Sequence, residues 1–599
     1  MNYLIGGKMG KTFVEKILKA EKGAIVFCKP NIVLTHDNTA SIKNTFNKMG
    51  GKKVFDADQL LVVLDHNAPP TNAKLANQYQ NIRDFVTEQK VSKFHDVGEG
   101  ICHQVMSYHA KPGMIIVGSD SHTCTAGAFN ALAVGIDRTE SAGIWKRGET
   151  WFLVPNTLKV TLNGKLNSGV YAKDISLWII GMIGSAGANY MSIEFHGDGV
   201  KTLSMAQRMT LTNLASEMGA KNAVFPPDEV LEDFLGEKIK NGVWADKDAV
   251  YEREIELYLE DIFPLVAAPH HVDNVKAVSE VQGTKLNQGL IGTCTNGRLE
   301  DIRIAAEILD GKKVAEGFQL LVIPASKKIY LQMIEEGLTT KLMNAGASVL
   351  AVSCGPCLGT GQGIPADGYT VISTANRNFK GRMGNKEASI YLASPACVAY
   401  SAISGEITDP RGKAYADKYP YPKAQSTTVD IQPDDNRREK ATWNYSDVDN
   451  LNTDQMFAGN LTYQVLSSNP EAIMPYLFVD FDENFTKKVE AGDVLIAGKN
   501  FGCGSSREHP AVGLAHAGVK AVIVKSVNRI FYRSSVNQGL PIIVLPEIVD
   551  AYKPGDKVDV SLEEGYVKIN DKEFKFAPLP EELMAIFATK GLVNWIKEN

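Results

Sequence analysis

Six short polar clusters hold most of the residue types in this sequence that do chemistry: Asp65-His66-Asn67, Ser119-Asp120-Ser121-His122, Thr293-Cys294-Thr295-Asn296, Ser353-Cys354-Gly355-Pro356-Cys357, Ser373-Thr374-Ala375-Asn376-Arg377 and Gly502-Cys503-Gly504-Ser505-Ser506-Arg507. Asp65 beside His66, and Asp120 two before His122, each set a carboxylate next to an imidazole. That pairing orients the ring and helps a hydroxyl leave as water. His66 and Asp120 are the main candidates for this role, and His103 in GEGICHQV completes the network. Arg377 and Arg382 can reach one anion from two sides, and the planar guanidinium fork suits a carboxylate. Ser505-Ser506-Arg507 sits in a Gly-rich turn before an expected helix, where backbone N–H groups could stabilise an alkoxide or bind a carboxylate. From the residues alone, Ser505 reads more readily as a helix N-cap.

The cysteines leave several chemistries open. Cys354 and Cys357 form a C-x-x-C around Gly355-Pro356. A redox pair of this spacing should open a helix in a small domain. Structural zinc needs four ligands, commonly from a second C-x-x-C, which the chain lacks. Two packed cysteines in a turn is the plainest alternative. Cys294, in a loop rich in Gly, Thr and Asn, supplies a third thiol. Three thiolates can hold three irons of a cubane [4Fe-4S] cluster and leave the fourth as a Lewis acid with an open position. Cys28, Cys102, Cys124, Cys397 and Cys503 have no paired spacing and are expected to pack, with Cys503 near the site but not a ligand.

The elements that position these groups follow from the hydrophobic pattern. Short β-branched runs at Leu61–Leu64, Met114–Val117, Val349–Val352, Thr370–Ile372, Val494–Ala497 and Ala521–Val524 mostly end in polar loops. Helix-period stretches at Asn72–Gln89 and Leu299–Leu309 lie between them. The alternation predicts an α/β chain with largely parallel sheets, whose ligands bind at the carboxyl ends of strands. All six polar clusters follow apolar runs, so their loops could converge on one site. The predicted organisation is a catalytic core over 1–408, a charged, Pro-containing linker over 409–449, and a smaller α/β domain over 450–599.

GTCTNGR at 292–298, SCGPCLG at 353–359, STANRNFKGR at 373–382 and FGCGSSREH at 501–509 resemble the aconitase superfamily of iron–sulfur hydro-lyases. THDNT at 35–39, DHNAPP at 65–70, GEGICHQV at 98–105 and GSDSHT at 118–123 resemble its isopropylmalate dehydratase and homoaconitase branch. The likeness covers nearly the whole chain, in order. It implies three α/β subdomains around a [4Fe-4S] cluster held by Cys294, Cys354 and Cys357, and a swivelling C-terminal domain closing over it. That branch often divides these parts between a large and a small subunit; here one chain would hold both. By resemblance Ser505 abstracts the proton. Asp65, His66, His103, Asp120 and His122 serve the departing hydroxyl, and His36, Ser121, Arg377, Arg382, Ser506 and Arg507 bind substrate. Asn213 and Glu217 resemble partners of the cluster, against the plainer reading of a solvated helix face. Asn296 and Asn376 could hydrogen-bond cluster or substrate. His109, His270 and His271 lie outside the family's motifs and are expected to be structural.

The implied reaction isomerises a 2-hydroxy di- or tricarboxylate by dehydration and rehydration through a cis-alkene. Relatives that take a third carboxylate carry an arginine in a loop soon after the Thr453-Asp454 motif. Here the arginine position falls on Thr462 or Ser467, depending on register, and no arginine lies between Arg438 and Arg507. Leu461, Tyr463, Val465 and Leu466 suit an alkyl group. The sequence thus favours isopropylmalate or a methylmalate over citrate or homocitrate, unless Lys499 or an arginine from another subdomain substitutes.

Composition narrows the alternatives. The 599 residues are 44% hydrophobic and 22% charged, with 63 basic against 69 acidic residues and a net charge of −6. That balance argues against nucleic acid as the main partner, although a regulator that binds RNA in its cluster-free form is an alternative of another class. A zinc-stabilised binding module is a third reading. Apolar runs are too short to span a bilayer, the first residues lack a signal peptide's apolar core, and eight cysteines are too sparse for a disulfide scaffold. A cytoplasmic protein is expected; oligomeric state is not legible.

Overall fold

β-branched runs flanked by helices build the first sheet, because a parallel strand buried on both faces must be apolar throughout. In the computed structural model, which describes residues 10–412, 437–462, 464–577 and 580–599, its strands run in the order Lys93–His95, Leu60–Val63, Ile32–Thr35, Ile115–Gly118, Leu132–Gly135, all parallel. Every residue of the three strands Ile32–Thr35, Leu60–Val63 and Leu132–Gly135 is buried. Helix Ala73–Gln89 packs on this sheet and opens on Asn72, whose side chain accepts from the Leu75 N–H.

A second parallel sheet orders Asn222–Val224, Ser192–His196, Thr157–Asn163 and Arg253–Tyr258. A third has seven strands: Val275–Ala277, Leu265–Ala267, Ser389–Leu392, Thr370–Ser373, Gln288–Gly292, Gln319–Ile323 and Ser348–Val349. Its first two pairings are antiparallel and the rest parallel. These three sheets are the three α/β units of the core. The C-terminal unit has its own sheet, Arg438–Glu439, Thr442–Tyr445, Val494–Ala497, Ala521–Val524 and Ile542–Val544, followed by the meander Val558–Ser561, Tyr566–Ile569, Lys572–Lys575. The fold is the expected α/β class, with three core units and a C-terminal α/β domain.

Three expectations shift. Residues 437–449 are not linker: Thr442–Tyr445 pairs in parallel with Val494–Ala497, and Trp443 and Tyr445 are buried, so the C-terminal unit begins earlier than residue 450. The rest of the expected linker, 413–436, and the opening stretch Met1–Lys8 lie outside the described residues, as does Tyr463. Of the run Val349–Val352 only Val349 is strand, at the end of Ser348–Val349, and Cys354 stands on an irregular stretch beyond it. The Ser-Ser-Arg turn does not directly follow a strand, because Val494–Ala497 ends well before Gly502.

The core and C-terminal units share an interface built from the helix Arg138–Arg147. Asp137 accepts from Asn537 Nδ2 at 2.6 Å, Thr139 Oγ1 donates to Glu508 at 2.8 Å, and Glu140 pairs with Arg533, whose Nε lies 3.0 Å from it. Leu583, Ile586, Leu592 and Ile596 from the last helices join the apolar cluster of the first unit. Among the described residues no helix is long and apolar enough to cross a membrane.

Candidate active site

Asp37, buried after the strand Ile32–Thr35, shapes the first functional loop. Its carboxylate accepts from the backbone N–H groups of Asp65, His66 and Asn67 at 3.0, 3.2 and 2.7 Å. Asp65 is thereby turned inward, where Oδ1 is 2.7 Å from His66 Nδ1 and Oδ2 accepts from the Cys102 N–H at 2.7 Å. His36 stacks on His66, ring centroids 3.8 Å apart.

From His66 a chain of polar contacts runs through the core. His66 Nε2 is 3.5 Å from Asp120 Oδ2, and Asp120 Oδ1 is 2.8 Å from His103 Nε2 and accepts from the His122 N–H at 2.8 Å. His122 Nε2 lies 2.8 Å from Glu217 Oε1. Glu217 Oε2 accepts from Arg377 Nε at 2.9 Å, and Arg377 Nη2 donates to Ser121 Oγ at 2.9 Å. All of these side chains are buried or nearly so. Burial opposes charge on the acids, but their partners prevail: His103, His122 and His66 hold Asp120 well below the usual carboxylate range, and Arg377 with His122 brings Glu217 down to about 2. At His36 burial is the largest cause of a strongly lowered pKa, helped by His66 and only partly offset by Asp65 and Asp120. Glu217 lies in the turn after helix Met205–Leu214, which carries Asn213, and both face inward rather than solvent.

The three cysteines lie against this network. Cys354 Sγ is 3.8 Å from His66 Nδ1 and 4.0 Å from Asp65 Oδ2. Ligand atoms of His103, His122 and Cys294 all lie within 4.8 Å of one another. Asn376 ties two of the thiols together, its Nδ2 at 3.6 Å from Cys294 Sγ and its Oδ1 at 3.8 Å from Cys357 Sγ. Asn213 Nδ2 is 3.5 Å from Cys294 Sγ, and Arg382 Nη2 is 4.0 Å from Cys357 Sγ. All eight cysteines of the chain are free thiols. Burial pushes Cys294 up to about 12, so its thiolate is favoured only beside a strong positive charge. A group of soft sulfur donors, two buried and one half-buried, ringed by N–H groups that hydrogen-bond thiolates, fits a soft metal or iron–sulfur cluster. Asn296 turns away, donating to Asp301 at 2.9 Å and Thr210 at 3.3 Å. Cys503 hydrogen-bonds the Asn450 carbonyl at 3.4 Å, apart from the three.

The C-terminal unit brings the last group. Gly504, at φ +99°, lets the chain turn sharply into Ser505. The Ser505 N–H donates to Thr453 Oγ1 at 3.1 Å, and that hydroxyl donates to the Ser505 carbonyl at 3.3 Å; neither bond uses the Ser505 hydroxyl. Ser506 Oγ donates to the Ser119 carbonyl at 3.2 Å, docking the turn onto the loop that holds Asp120. Arg507 is held by Asp454 at 2.7 Å and by the Phe457 carbonyl at 2.7 Å. The following helix starts at His509 with Glu508 at its N-cap, so Ser505 caps no helix.

Sequence reasoning passed over several groups here. Lys173, fully buried in helix Ala172–Ile183, donates to the Thr374 carbonyl at 3.0 Å and to that of Ala375, bracing the strand end that presents Asn376 and Arg377. Burial lowers its pKa to about 7. A single lysine among apolar helix residues gives no pattern to read. His270 and His271, expected to be structural, line a small cavity of about 60 Å³ with Glu217 and Arg377.

A model described as the Aconitase family (aconitate hydratase) matches residues 11–405, and one described as the Aconitase C-terminal domain matches 421–547. The 3-isopropylmalate dehydratase large subunit 1 of Methanopyrus kandleri is 45% identical over 415 residues, covering 67% of this chain and 99% of that protein. The methanogen homoaconitase large subunit of Methanocaldococcus jannaschii is 44% identical over 417 residues, covering 66% and 99%. Mitochondrial homoaconitase of Debaryomyces hansenii is 33% identical over 639 residues, covering 97% and 92%. Among solved structures, 3-isopropylmalate dehydratase from Methanocaldococcus jannaschii is 38% identical and covers 25% of this chain and 88% of its own, with a TM-score of 0.23. The two large-subunit relatives align with about two thirds of this chain, whereas the Debaryomyces hansenii homoaconitase aligns with nearly all of it. The chain belongs to the aconitase family of hydro-lyases, as one polypeptide that joins the large-subunit region to the C-terminal domain.

Proposed function

We propose that this protein is an iron–sulfur hydro-lyase that isomerises a 2-hydroxy di- or tricarboxylate by dehydration and rehydration through a cis-alkene. Isopropylmalate, a methylmalate, citrate and homocitrate are the candidate substrates. The observation that carries the reading is the junction of two systems: three free thiols, buried at Cys294 and Cys357 and half-buried at Cys354, abut a chain of contacts from Asp65 through His66, Asp120 and His122 to Glu217 and Arg377.

Cys294, Cys354 and Cys357 would hold a [4Fe-4S] cluster, which supplies an open Lewis-acid position for the substrate hydroxyl. The protein's residues supply the rest. Asp120, kept ionised by three imidazoles, holds His66 and His103 in place to deliver a proton to the departing hydroxyl. Asp65 fixes the His66 ring from its other nitrogen. Ser505 removes the carbon-bound proton, its backbone clamped by Thr453. Arg382 and Arg507, with Arg377 oriented by Glu217, bind the substrate carboxylates, as Ser121, Ser506 and His36 do from the core side.

Anaerobic reconstitution with iron and sulfide, followed by a screen of citrate, isocitrate, homocitrate, citramalate and isopropylmalate isomers, tests the reading. Protein that binds iron and raises the ultraviolet absorbance of the alkene with at least one of them is the expected result. Bound zinc in place of iron, or a loaded protein inert toward all of them, would contradict it.

A further inference from the structure

His95 and His109 stand outside the polar network of the site, yet they bracket one of its segments. His95 closes the edge strand Lys93–His95 of the first sheet, where its carbonyl accepts from the Leu64 N–H at 3.0 Å, one residue before Asp65. His109 lies on the turn after the helix Cys102–Met106, and its N–H donates to the Met106 carbonyl at 2.9 Å. Between the two lie Cys102, whose N–H reaches Asp65, and His103, which bonds Asp120. The rings meet edge to face, with centroids 5.3 Å apart and planes at 70°, and their Nε2 atoms are 3.1 Å apart.

Both rings are half-buried, and among the described residues each has the other as its side-chain hydrogen-bond partner. Burial is the main reason that both have lowered pKa values; His95 and Lys93 lower His109 further, and Glu99 offsets part of the shift at His95. At pH 7 both rings are therefore neutral. The nearby charges are engaged elsewhere: Glu99 pairs with Lys327 at 3.0 Å, and Lys93 donates to the Asp58 carbonyl. A neutral imidazole carries its proton on either nitrogen, and with Nδ1 protonated on each ring two Nε2 lone pairs are left side by side. They repel each other, and a cation between them removes the repulsion. With metal–nitrogen bonds of about 2.0–2.1 Å, the 3.1 Å separation subtends an angle of about 95–100° at the metal, between square-planar and tetrahedral coordination. Imidazole suits zinc, nickel and copper, whereas magnesium and calcium take oxygen donors.

We propose that His95 and His109 together bind one divalent ion of the late first-row metals, zinc, nickel or copper, at a site separate from the three thiols, with water at its remaining positions. The ion closes the stretch from 95 to 109 into a clip and so braces the helix that presents His103 to Asp120. This holds whether or not the chain is a hydro-lyase.

The test is anaerobic equilibrium dialysis of the full chain against micromolar Ni²⁺ and, separately, Zn²⁺. It compares the wild type with H95Q, H109Q, the double variant and H516Q, a control at an exposed histidine. Ions held at the thiols are common to all five proteins and cancel. Wild type and H516Q are expected to retain one ion more than the other three. Each single replacement should weaken that binding by at least about tenfold, and the double variant should lose no more than either single, because one ion needs both rings. Ni²⁺ should also raise the thermal midpoint of wild type and H516Q and leave the other three unmoved. Melting without metal checks each fold; if H95Q does not fold, H109Q and the wild-type titration decide. Equal retention by wild type and the histidine variants would overturn the proposal and leave the contact a hydrogen bond between two rings. Losses that add in the double variant would overturn it too, as two histidines that bind metal separately.

Discussion

Single residues carry the chemistry, and their roles separate by experiment. Ser505 is held by its backbone through Thr453, so removing its hydroxyl leaves the turn intact. S505A is expected to keep iron and fold while turnover falls by roughly 10²–10⁴-fold; near-normal turnover would place the base elsewhere. Serine replacement at Cys294, Cys354 or Cys357 should lower both iron content and visible absorbance, and a variant retaining the full amount would remove that cysteine from the ligand set. Much of this site was legible because the chemistry is local in the chain: Asp65 next to His66, Asp120 near His122, two cysteines three apart. Glu217 was legible by resemblance, although the residues alone left it open to a solvated reading that its burial excludes. Lys173 was not legible. A lysine inside an apolar helix reads as a surface group, and only the tertiary fold turns it inward.

At the scale of elements, strand ends place the loops, and the alternation of β-branched runs with helix-period stretches revealed most of them. The strand Thr442–Tyr445 was missed because charged and proline-containing neighbours masked a short run, and its burial depends on sheet partners distant in sequence. The start of helix Arg138–Arg147 gathers carboxylates against the C-terminal unit. Burial, with Glu508 and Glu140 nearby, raises the N-cap Asp137 from the usual 3.8 to about 8. An acid whose folded pKa lies above its unfolded one contributes stability that is complete below the unfolded value and fades as pH rises through the folded value. This contribution to thermal stability should therefore decline as pH climbs from about 4 through about 8. Asparagine at 137 also caps a helix and cannot ionise, so D137N should flatten that slope. A wild-type profile unchanged by the substitution would assign the pH dependence to other groups.

Across the whole molecule, one chain joins regions that relatives called large subunits cover only in part. The join is substantial: Arg533 pairs with Glu140 in a buried ion pair, and the last helices add apolar side chains to the first unit's core. Chains 1–412 and 437–599, expressed together without the connecting segment, are expected to copurify. E140Q, which leaves Arg533 buried without its carboxylate, should weaken the association by about 3–5 kcal/mol. Failure of the intact pair to associate would make the covalent join essential to the site. The central claim, that this site removes and restores water across a carbon–carbon bond, is tested most directly by isomerisation in water labelled with heavy oxygen. Loaded wild-type protein should release detectable alkene and return product whose hydroxyl carries the label, whereas S505A should do neither. Isomerised product that keeps its original hydroxyl oxygen, with no alkene formed, would contradict the account.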